Sequence, residues 1–213
     1  NTIVIKPASW APLSTLLLGE VFREVGVPAG VLNIVPSSGP DAGEVFANSE
    51  DIHDVTFTGS TEIGSQLYSA CAPNLKACTL ELGGKSPGLV LPDCDMEETV
   101  AGTLFGVFLN QGECCCGLTR LIVHEDVYDQ FVPKFVSGAQ AIQVGMPRSE
   151  ETRMGTLIHP DHLKNVLDFV ESGRKEGATI LCGGNVLSDG ELAAGSFMEP
   201  TVLADVQPEM RVW

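Results

Sequence analysis

"DVTFTGSTEIGSQLYSACAP", residues 54–73, begins as a short β-branched and aromatic run, breaks at Gly59, and resumes with helical spacing until Pro73. A strand that passes through a glycine turn straight into a helix is the building unit of α/β sheets. The same alternation extends in both directions. Upstream, "TIVIKP" (2–7) reads as a strand. Leu13, Leu16, Leu17, Val21 and Val25 then recur at helical intervals, and Gly26 and Pro28 end that helix. "VLNIV" (31–35) is the next strand, and "PDAGEVFANS" (40–49) a short helix. Downstream, "CTLEL" (78–82) and "GLVLP" (88–92) are strands on either side of "GGKSP". A long helix follows Asp95, then a strand "RLIVHE" (120–125) and a helix over "VYDQFVPKFVSGAQAI" (127–142). Another helix starts at Pro160, before a strand "TILCGG" (179–184) and an extended "FMEPTVL" (197–203). Near-continuous apolar strands in this order predict an α/β fold with a parallel sheet covered on both faces. The glycines and proline of "GGKSP" predict a domain break there, giving segments 1–83 and 84–213.

Bulk properties narrow the function. The chain has 213 residues, with 28 acidic side chains against 12 basic ones and a formal charge of -16. That field repels a phosphate backbone, so nucleic acid is not an expected partner. No stretch reaches the ~20 uninterrupted apolar residues of a membrane helix. Seven cysteines without framework spacing suggest free thiols in a reducing, cytoplasmic setting. The first residues read as a strand already under way and the last stop without a turn, so both ends read as interior to a longer chain.

Four places carry candidate chemistry, each with an ordinary alternative. In "FTGSTEIG" (57–64), the N–H groups of Gly59, Ser60 and Thr61 lie at a helix start suited to phosphate, and Gly59 and Gly64 would let a cofactor approach. Thr61 spoils the G-x-G-x-x-G pattern, and glycine turns also serve steric ends. Lys6 closes the first strand, where ligands of parallel sheets bind, or it is simply a solvated lysine. Glu81 sits inside an apolar strand. It is a general base with a raised pKa, a partner of Lys85, or a side chain facing water on an edge. Cys114, Cys115 and Cys116 follow "NQG". Adjacent cysteines splay apart and no second pair completes a tetrahedral site, so no metal is expected; a bond between neighbours would be strained. An activated nucleophile and plain apolar packing both remain open. "HPDH" (159–162) reads as a helix start, and His53 and His124 have no evident partners.

Taken together, the chain resembles the NAD(P)-dependent aldehyde dehydrogenase superfamily along its whole length. "FTGSTEIG" is similar to the family's coenzyme turn, "LELGGKSP" (80–87) to its glutamate signature, and "NQGECCC" (110–116) to its cysteine signature. "MGTLI" and "FMEPTVL" match lesser landmarks. The resemblance implies a Rossmann-like parallel sheet, the second half of a coenzyme domain, in residues 1–83, and the first part of an α/β catalytic domain in 84–213. It implies Cys115 as nucleophile and Glu81 as general base, from different segments that meet at a cleft. Lys6, Ser9, Gly59, Ser60, Gly64 and Leu82 would contact the coenzyme, NAD or NADP. The implied substrate is a small-molecule aldehyde, oxidised to an acid through a thiohemiacetal and a thioester. The full-length enzyme would be a homo-oligomer; this fragment alone would be inactive. Rivals are a coenzyme-A-acylating semialdehyde dehydrogenase, whose members lack the glutamate, and an inactive protein of the same fold.

Three positions depart from the family pattern. Ser9 stands where many NAD-preferring members carry a ribose-binding glutamate, so nothing acidic there excludes the 2′-phosphate of NADP. Ser37 replaces a glycine in "VPSSG" (35–39). Leu118 replaces a glycine in "GLTR" (117–120), beside the cysteine loop.

Overall fold

Helices and strands form where the alternation places them in the computed structural model, which describes residues 1–213. The chain divides into two units, Asn1–Gly83 and Gly84–Trp213. In the first, β1 (Ile3–Ile5) runs parallel to β2 (Leu32–Ile34), joined by α1 (Leu13–Glu24). After α2 (Gly39–Asn48), β3 (Asp54–Gly59) runs parallel to β4 (Ala77–Leu82), joined by α3 (Thr61–Cys71). Parallel pairing demands such crossovers, which explains why each strand is followed by a helical period. Ala47, Val55 and Cys71 make a small buried core, with Phe46, Ile52, Leu67 and Cys78 around it. The Lys76 ammonium donates to the carbonyls of Phe46 and Ser49 at 2.6 and 2.8 Å. It thereby satisfies the end of α2, whose last carbonyls lack helical partners.

The second unit begins with β5 (Pro87–Val90) parallel to β6 (Arg120–Val123), joined by α4 (Met96–Phe108). The helix α5 (Glu125–Gln140) buries Val127, Phe131 and Phe135 against Val90 and Val100. The rings of Phe131 and Phe135 stack with centroids 5.6 Å apart. Gly138 brings α5 close to α4: a Cβ there would stand 2.3 Å from Leu104 Cδ1. From α6 (Pro160–Glu176) onward the sheet direction changes. Here β7 (Thr179–Cys182) pairs antiparallel with β10 (Val202–Ala204), and β8 (Val186–Leu187) with β9 (Phe197–Met198). The expected parallel pairing holds in β1–β4, and the short β8 and β9, two residues each, show no period of their own in the sequence.

Candidate active site

In the first unit, Lys6 and Ser9 follow β1, beyond the carboxyl ends of the parallel pair. Pro7, Ala8, Ser9 and Pro12 face Pro36 and Ser37 there across a pocket of about 150 Å³. This is where open α/β sheets bind ligands, and the Ser9 and Ser37 hydroxyls can bond a polyol such as a ribose. A nucleotide fits that chemistry.

Ser60 is the N-cap of α3. Its hydroxyl oxygen accepts from the Ile63 N–H at 3.3 Å, which leaves its own hydrogen to donate. The Thr61 and Glu62 N–H groups have no backbone acceptor and remain open to an anion, although the Glu62 carboxylate already complements the helix dipole there. Gly59 and Gly64 also have close side-chain neighbours. A Cβ at Gly59 would lie 2.5 Å from the Phe57 ring, and one at Gly64 would lie 2.6 Å from Leu82. Gly64 lets α3 pack closely on Leu82 of β4, while the neighbour of Gly59 is Phe57 of its own strand.

Glu81 pairs in register with Thr58 near the end of β4. Burial alternates along this strand, and Glu81 is on its exposed face.

In the second unit, the cysteine loop is a tightly constrained turn after α4. Asn110, Gln111 and Gly112 take φ of 52°, 59° and 78° in succession. Two non-glycine residues in the left-handed region together cost on the order of 1–3 kcal/mol each, so the surroundings must hold them there. The Asn110 carbonyl accepts from the Glu113 N–H at 2.9 Å, and the Gln111 side chain lies 3.7 Å from the position a Gly155 Cβ would take. The Cys114 carbonyl then accepts from Gly117 N–H at 3.0 Å, closing a turn with Cys115 at its head. Cys115 is exposed, and no backbone carbonyl accepts from its N–H. Leu118 anchors the far side: its N–H donates to the Gly106 carbonyl at 3.0 Å. Its side chain fills the notch left by Gly106 and Gly88. The leucine therefore points into the protein and does not crowd the exposed turn.

The three thiols differ. Cys114 and Cys116 sulfurs are 3.4 Å apart. The Cys116 N–H and then its thiol, both donating to the Cys114 sulfur, hold Cys114 below the ordinary thiol range. The same hydrogen bond, with the negative charge on Cys114, pushes Cys116 up. No group of three or more His, Cys, Asp or Glu side chains is placed to hold a metal ion.

Two histidines do work that spacing did not reveal. His124 and His159 cap α5 and α6 through Nδ1, which accepts from the N–H two residues on at 3.3 and 3.2 Å. His162 reaches the cysteine loop, with Nε2 3.3 Å from Glu113 Oε1. Nothing in "HPDH" could have signalled this, because Glu113 lies in a distant segment.

Residues 1–213 match the model of the aldehyde dehydrogenase family from end to end. The chain belongs to that family. It is 43% identical over 213 residues to the human mitochondrial aldehyde dehydrogenase, covering 100% of this chain and 40% of that protein. An NAD⁺ complex of aldehyde dehydrogenase from Bacillus cereus superposes with a TM-score of 0.93 at 41% identity, over 99% of this chain and 42% of its own. The NAD-dependent aldehyde dehydrogenase of Sinorhizobium meliloti gives a TM-score of 0.95 at 35% identity, over 99% and 41%. The chain thus spans about two fifths of the length of such relatives. As a family member it has an α/β fold, and no helix in it is long and apolar enough to cross a membrane.

Proposed function

We propose that the protein carrying this chain oxidises an aldehyde to a carboxylic acid, with NAD or NADP as oxidant. The observation that supports this most is Cys115, exposed at the head of a rigid turn with its own N–H free, in a chain the family matches throughout. The Cys115 thiolate adds to the carbonyl carbon, and the Cys115 N–H stabilises the oxyanion that develops. The bound coenzyme supplies the hydride acceptor. With that acceptor bound, loss of hydride from the thiohemiacetal would leave a thioester on Cys115. Glu81 takes a proton from a water molecule, whose oxygen attacks the thioester; the acid departs and the thiol is restored. Residues 1–83 serve the coenzyme and 84–213 the thiol. Lys6, Ser9 and Ser60 donate to the ribose and phosphates, with Gly59, Gly64 and Leu82 shaping the turn beneath them. The working enzyme is a homo-oligomer.

Aldehyde-dependent coenzyme reduction by the full-length protein tests this. Cys115→Ser should lose activity by about 10³-fold or more, while Cys114→Ser keeps most of it. Glu81→Gln should still reduce one equivalent of coenzyme and then stall at the thioester. Equal losses at Cys114 and Cys115 would overturn the choice of nucleophile. Because Ser9 places no carboxylate beside the ribose, both coenzymes should support turnover, and a strong NAD preference would refute that part.

A further inference from the structure

We propose that His162 is a positioning residue that holds, and electrically masks, the loop bearing Cys115 by pairing with Glu113. Three observations meet at this pair. Glu113 lies two residues before Cys115, and its side chain is only 23% exposed, so its charge is poorly screened by water. Its partner, His162 Nε2 at 3.3 Å, comes from the first turn of α6, an element fixed by its own cap at His159. Glu113 also ends the left-handed stretch Asn110–Gly112, which needs an external hold. Leu118 anchors the loop beyond the cysteines; the Glu113–His162 pair anchors it before them.

The pair has an electrostatic consequence that a purely mechanical anchor would lack. With His162 protonated, the Glu113 carboxylate, two residues before Cys115, is paired with an opposite charge. Without it, that carboxylate is unpaired and repels anions that approach the loop. Beside the pair along the chain stand His159 and Asp161, 3.4 Å apart at the start of α6, and Cys114 and Cys116, which face each other on the loop. The inference takes from the proposed function only the identity of Cys115 as the thiol of interest.

The test uses the full-length protein and reads alkylation of Cys115 by peptide mass spectrometry, so it needs no dehydrogenase activity. Iodoacetamide is neutral and iodoacetate is an anion of similar size. At low salt, His162→Asn should lower the iodoacetate-to-iodoacetamide rate ratio at Cys115 roughly threefold, and Glu113→Gln should raise it by a similar factor. The double variant should return to the wild-type ratio, and added salt should flatten all the differences. His162→Gln, which keeps an amide donor but no charge, should behave as His162→Asn and carries the test if the asparagine variant fails to fold. A ratio unchanged across the set, or moved in the same direction by both single variants, would overturn the proposal. A protein that labels as expected but oxidises no aldehyde would sink the proposed function and leave this inference standing.

Discussion

Cys114 and Cys116 are separated by one residue, yet their sulfurs differ in acidity because one accepts the hydrogen bonds that the other side donates. The Cys116 N–H and thiol both point at Cys114, so the lowered group carries more thiolate at neutral pH and the raised group less. Timed iodoacetamide labelling near neutral pH should therefore modify Cys114 before Cys116. The gap should close as pH rises through the range where both thiols ionise. Cys116→Ala removes the thiol donor but keeps the N–H, so Cys114 should slow without falling to an ordinary thiol's rate. Peptide mass spectrometry follows each site, and labelling of Cys116 first would contradict the direction of both shifts. Cysteine spacing alone left this triplet undecided between packing and catalysis. Family likeness singles out the middle residue, but the contact between its neighbours depends on the Cys114–Gly117 turn, whose backbone no composition or periodicity specifies.

Among the elements, helix starts show both how far the sequence could be read and where reading failed. Ser38, Ser60 and Asp95 cap α2, α3 and α4 through side-chain oxygens, as residues of those types commonly do. Helix periods between them are clear enough that each predicted segment appears within a few residues of its place. His124 and His159 do the same work with a ring nitrogen, outside the usual capping set, so in "HPDH" only Pro160 and Asp161 signal a helix start. Packing at the turn is a different matter: the ring of Phe57 and the side chain of Leu82 lie beside Gly59 and Gly64, neighbours that no sequence period announces. The cap at Ser60 carries a prediction of its own. Ser60→Ala removes the acceptor for the Ile63 N–H and should cost about 1 kcal/mol, felt chiefly as faster hydrogen exchange in the first turn of α3. In the full-length protein the same change should weaken coenzyme binding, seen by fluorescence titration, because the hydroxyl hydrogen is lost too. Ser60→Asn restores a capping oxygen and should recover the exchange protection. A variant with normal exchange and normal coenzyme affinity would show that Ser60 does neither task.

Across the chain, the two units are unequal in how much apolar surface each hides. The first buries Ala42, Ala47, Val55 and Cys71, all small side chains, while α1 has no buried residue and leaves Leu13 73% and Leu17 65% exposed. The second buries Val90, Val100, Val127, Phe131, Phe135, Met154, Leu157, Phe197 and Met198, among others. At about 25 cal/mol per Å² of apolar surface, a core of phenylalanines and branched residues contributes several-fold more than one of alanines and a single valine. Backbone and side-chain entropy must be offset in both units alike, so the first unit has the smaller margin. Hydrogen exchange of residues 1–213 followed by mass spectrometry should therefore show α5 and β6 as the most protected peptides and α1 and β1 among the least. Loss of protection in the first unit should come at lower denaturant than in the second. Equal protection of α1 and α5, with one shared transition, would mean that stability does not follow the visible cores. Apolar faces such as that of α1 would then be covered even in this stretch of chain by an association that buries them.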